Sequence, residues 1–301
     1  MGWRRLGRLA LDASPAPWAA THAALPVVDP IDDERFAVYL SLRDGQGRAR
    51  IGRTMLTMGA APALAALESE PALDLGALGT FDDSGVTSSC LLESGGRRFL
   101  FYTGWSRGVT VPFYLSAGVA VSDGGPFRRV SPAPLLDRNP VDPYLTASPF
   151  VLAEDGRWRM WYVSGTDWRP HATGPRHYYH IRYAESLDGT TWQRGGKVCI
   201  DYAAAGEHAF SRPCVVHEGG RYRMWYAVRG ASYRIGYAES RDGLDWTRVD
   251  GEAGLEPTGD GWESTMVAYP FVFEHDGHRY MLYNGNDYGR TGVGLARWEG
   301  R

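Results

Sequence analysis

Carboxylates stand at regular places along this chain. Asp83 and Glu207 lie six residues before Ser89 and Pro213, and Asp142 and Glu263 lie seven before Pro149 and Pro270. Asp82 adjoins the first of them, and His208 and Arg212 follow Glu207 closely. Upstream, His22 stands four residues before Pro26, with Arg43 beyond it. Carboxyls in contrasting environments are the equipment of general acid–base chemistry, one kept ionised and another kept protonated. A single acid ahead of a strand usually caps backbone N–H groups or pairs with an arginine. Four in register point instead to a shared site, with Glu207, between apolar strands and near other acids, as the protonated partner. A zinc-type set of His22, His208 and Glu263 is the weaker reading, and neither metal nor cofactor is expected.

The elements that must position these groups repeat. "DDSGVTSSCLLESGGRRFLFYTGW", "DPYLTASPFVLAEDGRWRMWYVSG", "EHAFSRPCVVHEGGRYRMWYAVRG" and "ESTMVAYPFVFEHDGHRYMLYNGN" share one plan: acid, polar approach, apolar run, Gly-containing turn, aromatic-rich run. Their anchors, Ser89, Pro149, Pro213 and Pro270, are 60, 64 and 57 residues apart, and a fainter first copy puts Pro26 another 63 residues upstream. Each copy continues into a second hairpin, clearest in "HIRYAESLDGTTWQRGG" and "RIGYAESRDGLDWTRVD", where residues alternate around Asp-Gly. A copy therefore reads as four antiparallel strands. Five copies predict an all-β, five-bladed propeller, with blade cores near 20–70, 82–131, 142–196, 207–250 and 263–299 in one domain spanning 1–301. The last copy lacks a fourth strand, and "GWRRLGRL" at 2–9 supplies it, closing the ring.

This topology sorts the connections onto two faces. Turns such as "EDGRW" and "EGGRY" are short, and Asp123, Asp155, Asp188, Asp242 and Asp276 read as turn residues. The connections "GWSRGVTVPF", "SGTDWRPHATGPRHYY" and "NGNDYGRT" are longer, richer in aromatic and charged residues, and share the face on which the acids open their strands. Trp105, Trp168 and Asn284 belong to this face and join His22, Arg43, Asp82, His208, Arg212 and Glu263 as candidate ligand-binding residues. The "RMWY" aromatics read as strand-face core.

Composition agrees. The chain of 301 residues has 38 Gly, 18 Pro and 13% aromatic residues, favouring turn-rich β structure. A net charge of −3 without a basic block argues against nucleic acid as a partner. Cys90, Cys199 and Cys214 read as buried thiols of a reducing compartment. No apolar run is long enough to span a membrane. The basic amino terminus is interrupted by Asp12, Pro15 and Pro17, so no signal peptide is expected and the location is read as cytoplasmic. Oligomeric state is left open.

The unequal copies, the axial acids and the "YAES-x-DG-xx-W" hairpins together resemble the five-bladed propeller glycosidases, which include arabinanases and xylosidases, invertases and levansucrases, and mannoside phosphorylases. Uncharacterised members from polysaccharide gene clusters are the nearest likeness. The hairpins also resemble the Asp-box of sialidases. The resemblance implies a glycoside-active enzyme, hydrolase or transferase, working on a small or terminal sugar. It further implies a catalytic set in which Asp83 is base or nucleophile, Asp142 tunes and orients, and Glu207 is the general acid. The first copy departs from the pattern, offering His22 where those families place an acid. Two other readings stay open: a propeller that binds a carbohydrate or metabolite without hydrolysis, and a biosynthetic enzyme doing other acid–base chemistry in the same pocket.

Overall fold

A computed structural model describes residues 2–11 and 16–300; Asp12 and Pro15 of the leader reading lie outside the described residues. The chain is nearly all β. Strand β1 (Trp3–Leu9) is followed by a first four-strand unit, β2 (Thr21–Pro30), β3 (Arg35–Arg43), β4 (Ala49–Thr57) and β5 (Ala63–Leu64). The second is β6 (Gly85–Ser94), β7 (Arg97–Arg107), β8 (Phe113–Ser122) and β9 (Arg128–Arg129), and the third β10 (Thr146–Glu154), β11 (Arg157–Arg169), β12 (Arg176–Ser186) and β13 (Val198–Ile200). The fourth is β14 (Ala209–Glu218), β15 (Arg221–Arg229), β16 (Tyr233–Ser240) and β17 (Trp246–Arg248). The last holds β18 (Ala268–His275), β19 (His278–Asn284), the short turn α1 (Asn286–Gly289) and β20 (Val293–Trp298). Within each unit neighbours in sequence pair antiparallel, and β1 adds to β20 with Trp3 opposite Trp298. Trp3 packs edge-on against Trp298 at 5.2 Å and Trp225 at 6.0 Å.

Local chemistry explains the hairpins. Gly95 and Gly96, Asp155 and Gly156, Gly219 and Gly220, and Asp276 and Gly277 all have positive φ. Two successive left-handed residues make the mirror-image turn whose twist matches the flanking strands. In the second hairpins, Asp188 and Asp242 accept the N–H groups two and three residues on, while Trp192 and Trp246 donate to the carbonyls of Gly189 and Gly243. The connection "SGTDWRPHATGPRHYY" differs from the long loop expected. Trp168 pairs with His177 and Arg169 with Arg176, so most of it extends the β11–β12 ladder; cross-strand aromatic pairs favour this.

The first strands of the units neighbour one another in cyclic order: β2 beside β6, β6 beside β10, β10 beside β14, β14 beside β18, and β18 beside β2. Each carries a bulge at its anchor. Leu25, Ser148, Arg212 and Tyr269, each preceding the anchor proline, are left-handed, with φ of 54°, 45°, 57° and 56°. Such strained positions persist only where surroundings hold them, and here side chains of the preceding unit do so. Asn284 Oδ1 accepts the Leu25 N–H at 2.8 Å, and Thr103 Oγ1 accepts that of Ser148 at 2.8 Å. Ser41 Oγ accepts the Ser88 N–H at 3.1 Å.

Arg212 makes a longer reach. Only 1% exposed, it extends from β14 to donate to the carbonyls of Ser88 (2.9 Å), Ser89 and Pro26. No carboxylate neutralises it among the described residues, and burial pulls its pKa down to about 10. Arg212→Leu should leave three buried carbonyls without this donor and cost about 3 kcal/mol. Calorimetry should show this as a fall of several degrees in Tm, and an unchanged Tm would contradict the bracing role.

Candidate functional site

Each acid at a strand approach belongs to a hydrogen-bonded set within its own sheet. In the second unit Asp82, fully buried, accepts the Tyr102 hydroxyl at 3.0 Å, Arg129 Nε at 2.7 Å and Thr80 Oγ1 at 2.9 Å. In the third, Asp142, also fully buried, accepts the Tyr162 hydroxyl at 3.0 Å, Arg194 Nη1 at 2.9 Å and Arg182 Nη1 at 3.2 Å. In the fourth, Glu207 takes Arg248 through two nitrogens, at 2.6 and 2.9 Å, and Arg248 Nε continues to the Tyr226 hydroxyl at 3.1 Å. In the last, Glu263 accepts Arg5 Nε of β1 at 3.0 Å, beside the Tyr283 hydroxyl, whose pKa it raises after burial has done so.

The pattern is therefore an acid before the first strand, a tyrosine on the second and an arginine from the outer edge. Its signal is legible in retrospect. The tyrosines end "FLFY", "RMWY", "RMWY" and "YMLY", and the arginines recur in "PFRR", "TWQR", "DWTR" and "GWRR". Sequence reading treated the tyrosines as core and left the arginines without a role.

Asp83, Asp142 and Glu207 share no hydrogen-bond partner. Asp83 accepts the Gly79 N–H at 3.0 Å and the Ser84 hydroxyl at 2.9 Å, a local turn, and Asp82 takes the equivalent of the Asp142 position. Glu207, expected to be protonated, is held in the opposite state. Burial raises its pKa, but Arg248 and the N–H groups of Ala203 and Ala204 outweigh that and bring it to about 2. Among the expected ligand-binding residues, Asp82, His208, Arg212, Glu263 and Asn284 are enclosed. Asn284 has its amide engaged by the carbonyls of Ala23 (2.7 Å) and Gly292 (3.0 Å) and by the Leu25 N–H.

What the structure does bring together, where the first strands begin, is an aromatic and basic rim. Trp168 packs against Phe113 at 5.2 Å and His177 at 5.6 Å; His177 stacks on Tyr179 at 4.7 Å and lies 6.0 Å from His208. The Tyr179 and Tyr233 hydroxyls bond at 2.8 Å, and Tyr233 meets Tyr269 at 5.6 Å and Tyr288 at 6.1 Å. Arg229 lies over the rings of Tyr233 and Tyr288 at 5.3 and 5.5 Å. Arg43 acts on both Tyr269 and His22. Burial, then Arg43 and Arg290, pulls His22 to about 4; burial, then Arg229, His208 and Arg176, pulls His177 to about 4. Both rings are neutral at physiological pH. Trp105 lies against the start of β6, where Gly85 is required: a Cβ there would sit 2.0 Å from the Trp105 indole nitrogen.

Among the described residues no group of three or more His, Cys, Asp or Glu is arranged to hold a metal ion, and no helix is long and apolar enough to cross a membrane. Cys90, Cys199 and Cys214 are buried free thiols. A cleft of about 920 Å³ lies between the fourth and fifth units, lined by Arg223, Glu239, Glu218 and Arg279. Its charges already pair with one another, whereas rim cations such as Arg229 do not, so the rim is the better candidate.

A folded-state pKa for Glu207 of about 2, against an ordinary 4.5, stabilises the protein above pH 4.5, and that contribution disappears as pH falls toward 2. Glu207→Gln should lower Tm at neutral pH and flatten the decline of Tm over that acid window. An unaltered acid limb would show that the Arg248 pair contributes nothing.

The chain is similar over its whole length to the uncharacterized protein MT1551 of Mycobacterium tuberculosis (strain CDC 1551 / Oshkosh). The identity is 43% over 303 residues, covering 98% of this chain and 99% of the other. The uncharacterized protein Rv1502 of strain ATCC 25618 / H37Rv is 42% identical with the same coverage. No protein-family model matches. Among solved structures it is similar to a glycosyl hydrolase from Bacteroides ovatus, with a TM-score of 0.72, 14% identity, and 99% of this chain and 93% of that one covered. A thermostable family-43 glycoside hydrolase aligns with a TM-score of 0.70 and 18% identity over 96% of this chain and 93% of that one. A structure from the GH130 family of mannoside phosphorylases, described as containing glycoside hydrolases that target β-1,2 mannosidic linkages in Candida mannan, aligns with a TM-score of 0.71. It is 16% identical over 99% of this chain and 93% of that one. At such identities the likeness is one of fold, the β-propeller of the glycoside hydrolases.

Proposed function

This chain belongs to the family of the Mycobacterium tuberculosis proteins MT1551 and Rv1502, and from that premise we propose a five-bladed propeller, closed by β1, that binds a carbohydrate at its axial rim. The five cyclically neighbouring units support the blade count, and the β1–β20 pairing supports the closure. One observation carries the functional reading: the strand-approach acids are tied to arginines of their own sheets, and Asp82 and Asp142 to tyrosines as well, while the aromatic rim is left for a ligand. Sugar rings present C–H faces that pack on aromatic side chains, with hydroxyls at the edge for histidine and arginine. Trp168, Tyr288, His22 and Arg43 offer that combination.

Glycoside cleavage needs one carboxyl protonated at working pH and another facing it across the scissile bond. Glu207, ionised by Arg248, does not fit the first role, and Asp142 is sealed behind two arginines. Turnover is the second reading, favoured by the glycoside hydrolase fold and by Asp83, whose hydrogen-bond partners include no cation.

Calorimetry against a panel of mono- and disaccharides, with product analysis over days, separates the two. Saturable binding without product, weakened at least tenfold by Trp168→Ala or Tyr288→Ala and unaffected by Asp83→Asn, is expected. Sugar turnover abolished by Asp83→Asn would establish the second reading instead, and binding of no sugar would refute both.

A further inference from the structure

Arg229, at the end of β15, is half-buried between the rings of Tyr233 and Tyr288, and no carboxylate pairs with it among the described residues. The arginines that end the other second strands differ among themselves: Arg43 of β3 and Arg107 of β7 have no carboxylate partner among the described residues, while Arg169 of β11 pairs with Asp167. Arg129, Arg194, Arg248 and Arg279 each meet a carboxylate within 3 Å, in a chain where acids outnumber Lys and Arg by 35 to 32. Counter-charges are plentiful but not placed here. Arg229 instead acts on His177 and His208, as does Arg176, and Arg43 and Arg290 act on His22. The acid that acts on His22 from this side is Asp287, which is exposed.

The aromatic faces explain how Arg229 stays in place without neutralising it. Tyrosine rings attract a guanidinium through their quadrupole but leave its N–H fork and its charge unsatisfied. Tyr288 is held over it by a turn in which both Asp287 and Tyr288 are left-handed, with φ of 53° and 58°. Strain of this kind, at the rim and beside an unpaired cation, is a mark of a ligand-holding segment.

We propose that the rim receives its sugar through an anionic substituent, a carboxylate or a phosphate, which Arg229 engages with its paired N–H groups. This rests on the carbohydrate reading above. A planar guanidinium takes either group through two parallel hydrogen bonds. The neutral rings of His22 and His177 and the indole of Trp168 remain for the hydroxyls and the ring face. The substrate class is thus a uronic acid or a sugar phosphate rather than a neutral sugar.

Calorimetry on the full chain with glucuronate, glucose 6-phosphate, glucose and inorganic phosphate tests this, alongside Arg229→Ala and Arg229→Lys, with Tm measured to confirm folding. One of the charged sugars should bind at least tenfold more tightly than glucose, and which one it is separates a carboxylate from a phosphate. Arg229→Ala should remove that preference, bringing the affinity for the charged sugar down to that for glucose. Equal binding of charged and neutral sugars, or an Arg229→Ala variant that keeps the preference, would overturn the inference and leave the carbohydrate reading standing. Binding of inorganic phosphate that requires Arg229, with no sugar bound, would uphold the anion site and overturn the carbohydrate reading. No binding of any probe would overturn both.

Discussion

The guanidinium of Arg212 holds the centre of this molecule. It starts on the first strand of the fourth unit and ends on carbonyls of the first and second, so the first strands of three units depend on one buried cation. A buried charge is costly unless it is hydrogen-bonded, and here backbone oxygens take both terminal nitrogens in place of a carboxylate, with Nε left unpartnered. The left-handed residue before each anchor proline makes this arrangement specific, because that position in the fourth unit is Arg212 itself. In the first three units the equivalent backbone N–H is fixed by Asn284, Ser41 and Thr103 of the preceding unit. The first strands of neighbouring units are therefore joined by short, directional contacts as well as by apolar packing.

With the centre fixed, the acids outside it have a mechanical explanation. Each acid ties the segment approaching its inner strand to a tyrosine of the second strand or an arginine of the outer edge, so one carboxylate spans the width of a sheet. Such pairs are worth little at a surface but are strongly interdependent when buried, since removing one partner leaves the other uncompensated. Holding Asp82, Asp142, Glu207 and Glu263 in these pairs leaves Arg229 and Arg43 without a carboxylate partner among the described residues.

Much of the architecture was legible in the sequence because repetition exposes it. The anchor prolines, the Asp-Gly and Gly-Gly turns, and the tryptophan of "GWRRL" standing in for those of "TTWQR" and "LDWTR" are local signals, and the strands follow them. The acids were legible as a set but not in their role. The arginines that claim them lie far along the chain, 47 residues away for Asp82 and 41 for Glu207, and a period of about 60 residues hides a pairing between the two ends of one unit. Asp82 and Asp83 could not be told apart for a related reason: they are neighbours in the turn before β6, and what encloses Asp82 is the Tyr102 hydroxyl and Arg129, both far along the chain. Arg212 was read as facing a ligand because nothing in its own segment reveals carbonyls contributed from two other units. The rim was half visible. His22, Arg43, Trp168 and His208 were picked out, while Tyr179, Arg229, Tyr233 and Tyr269 looked like ordinary strand residues.

The central claim is a division of labour between acids that brace the sheets and a rim that meets the ligand. A crystal structure with a bound uronic acid or sugar phosphate tests it most directly. The account predicts the sugar ring against Trp168 or Tyr288 and its anionic group on Arg229, with Glu207 still bonded to Arg248 and Asp142 still enclosed. A sugar lying between Asp83 and Glu207, with Arg248 displaced, would contradict it.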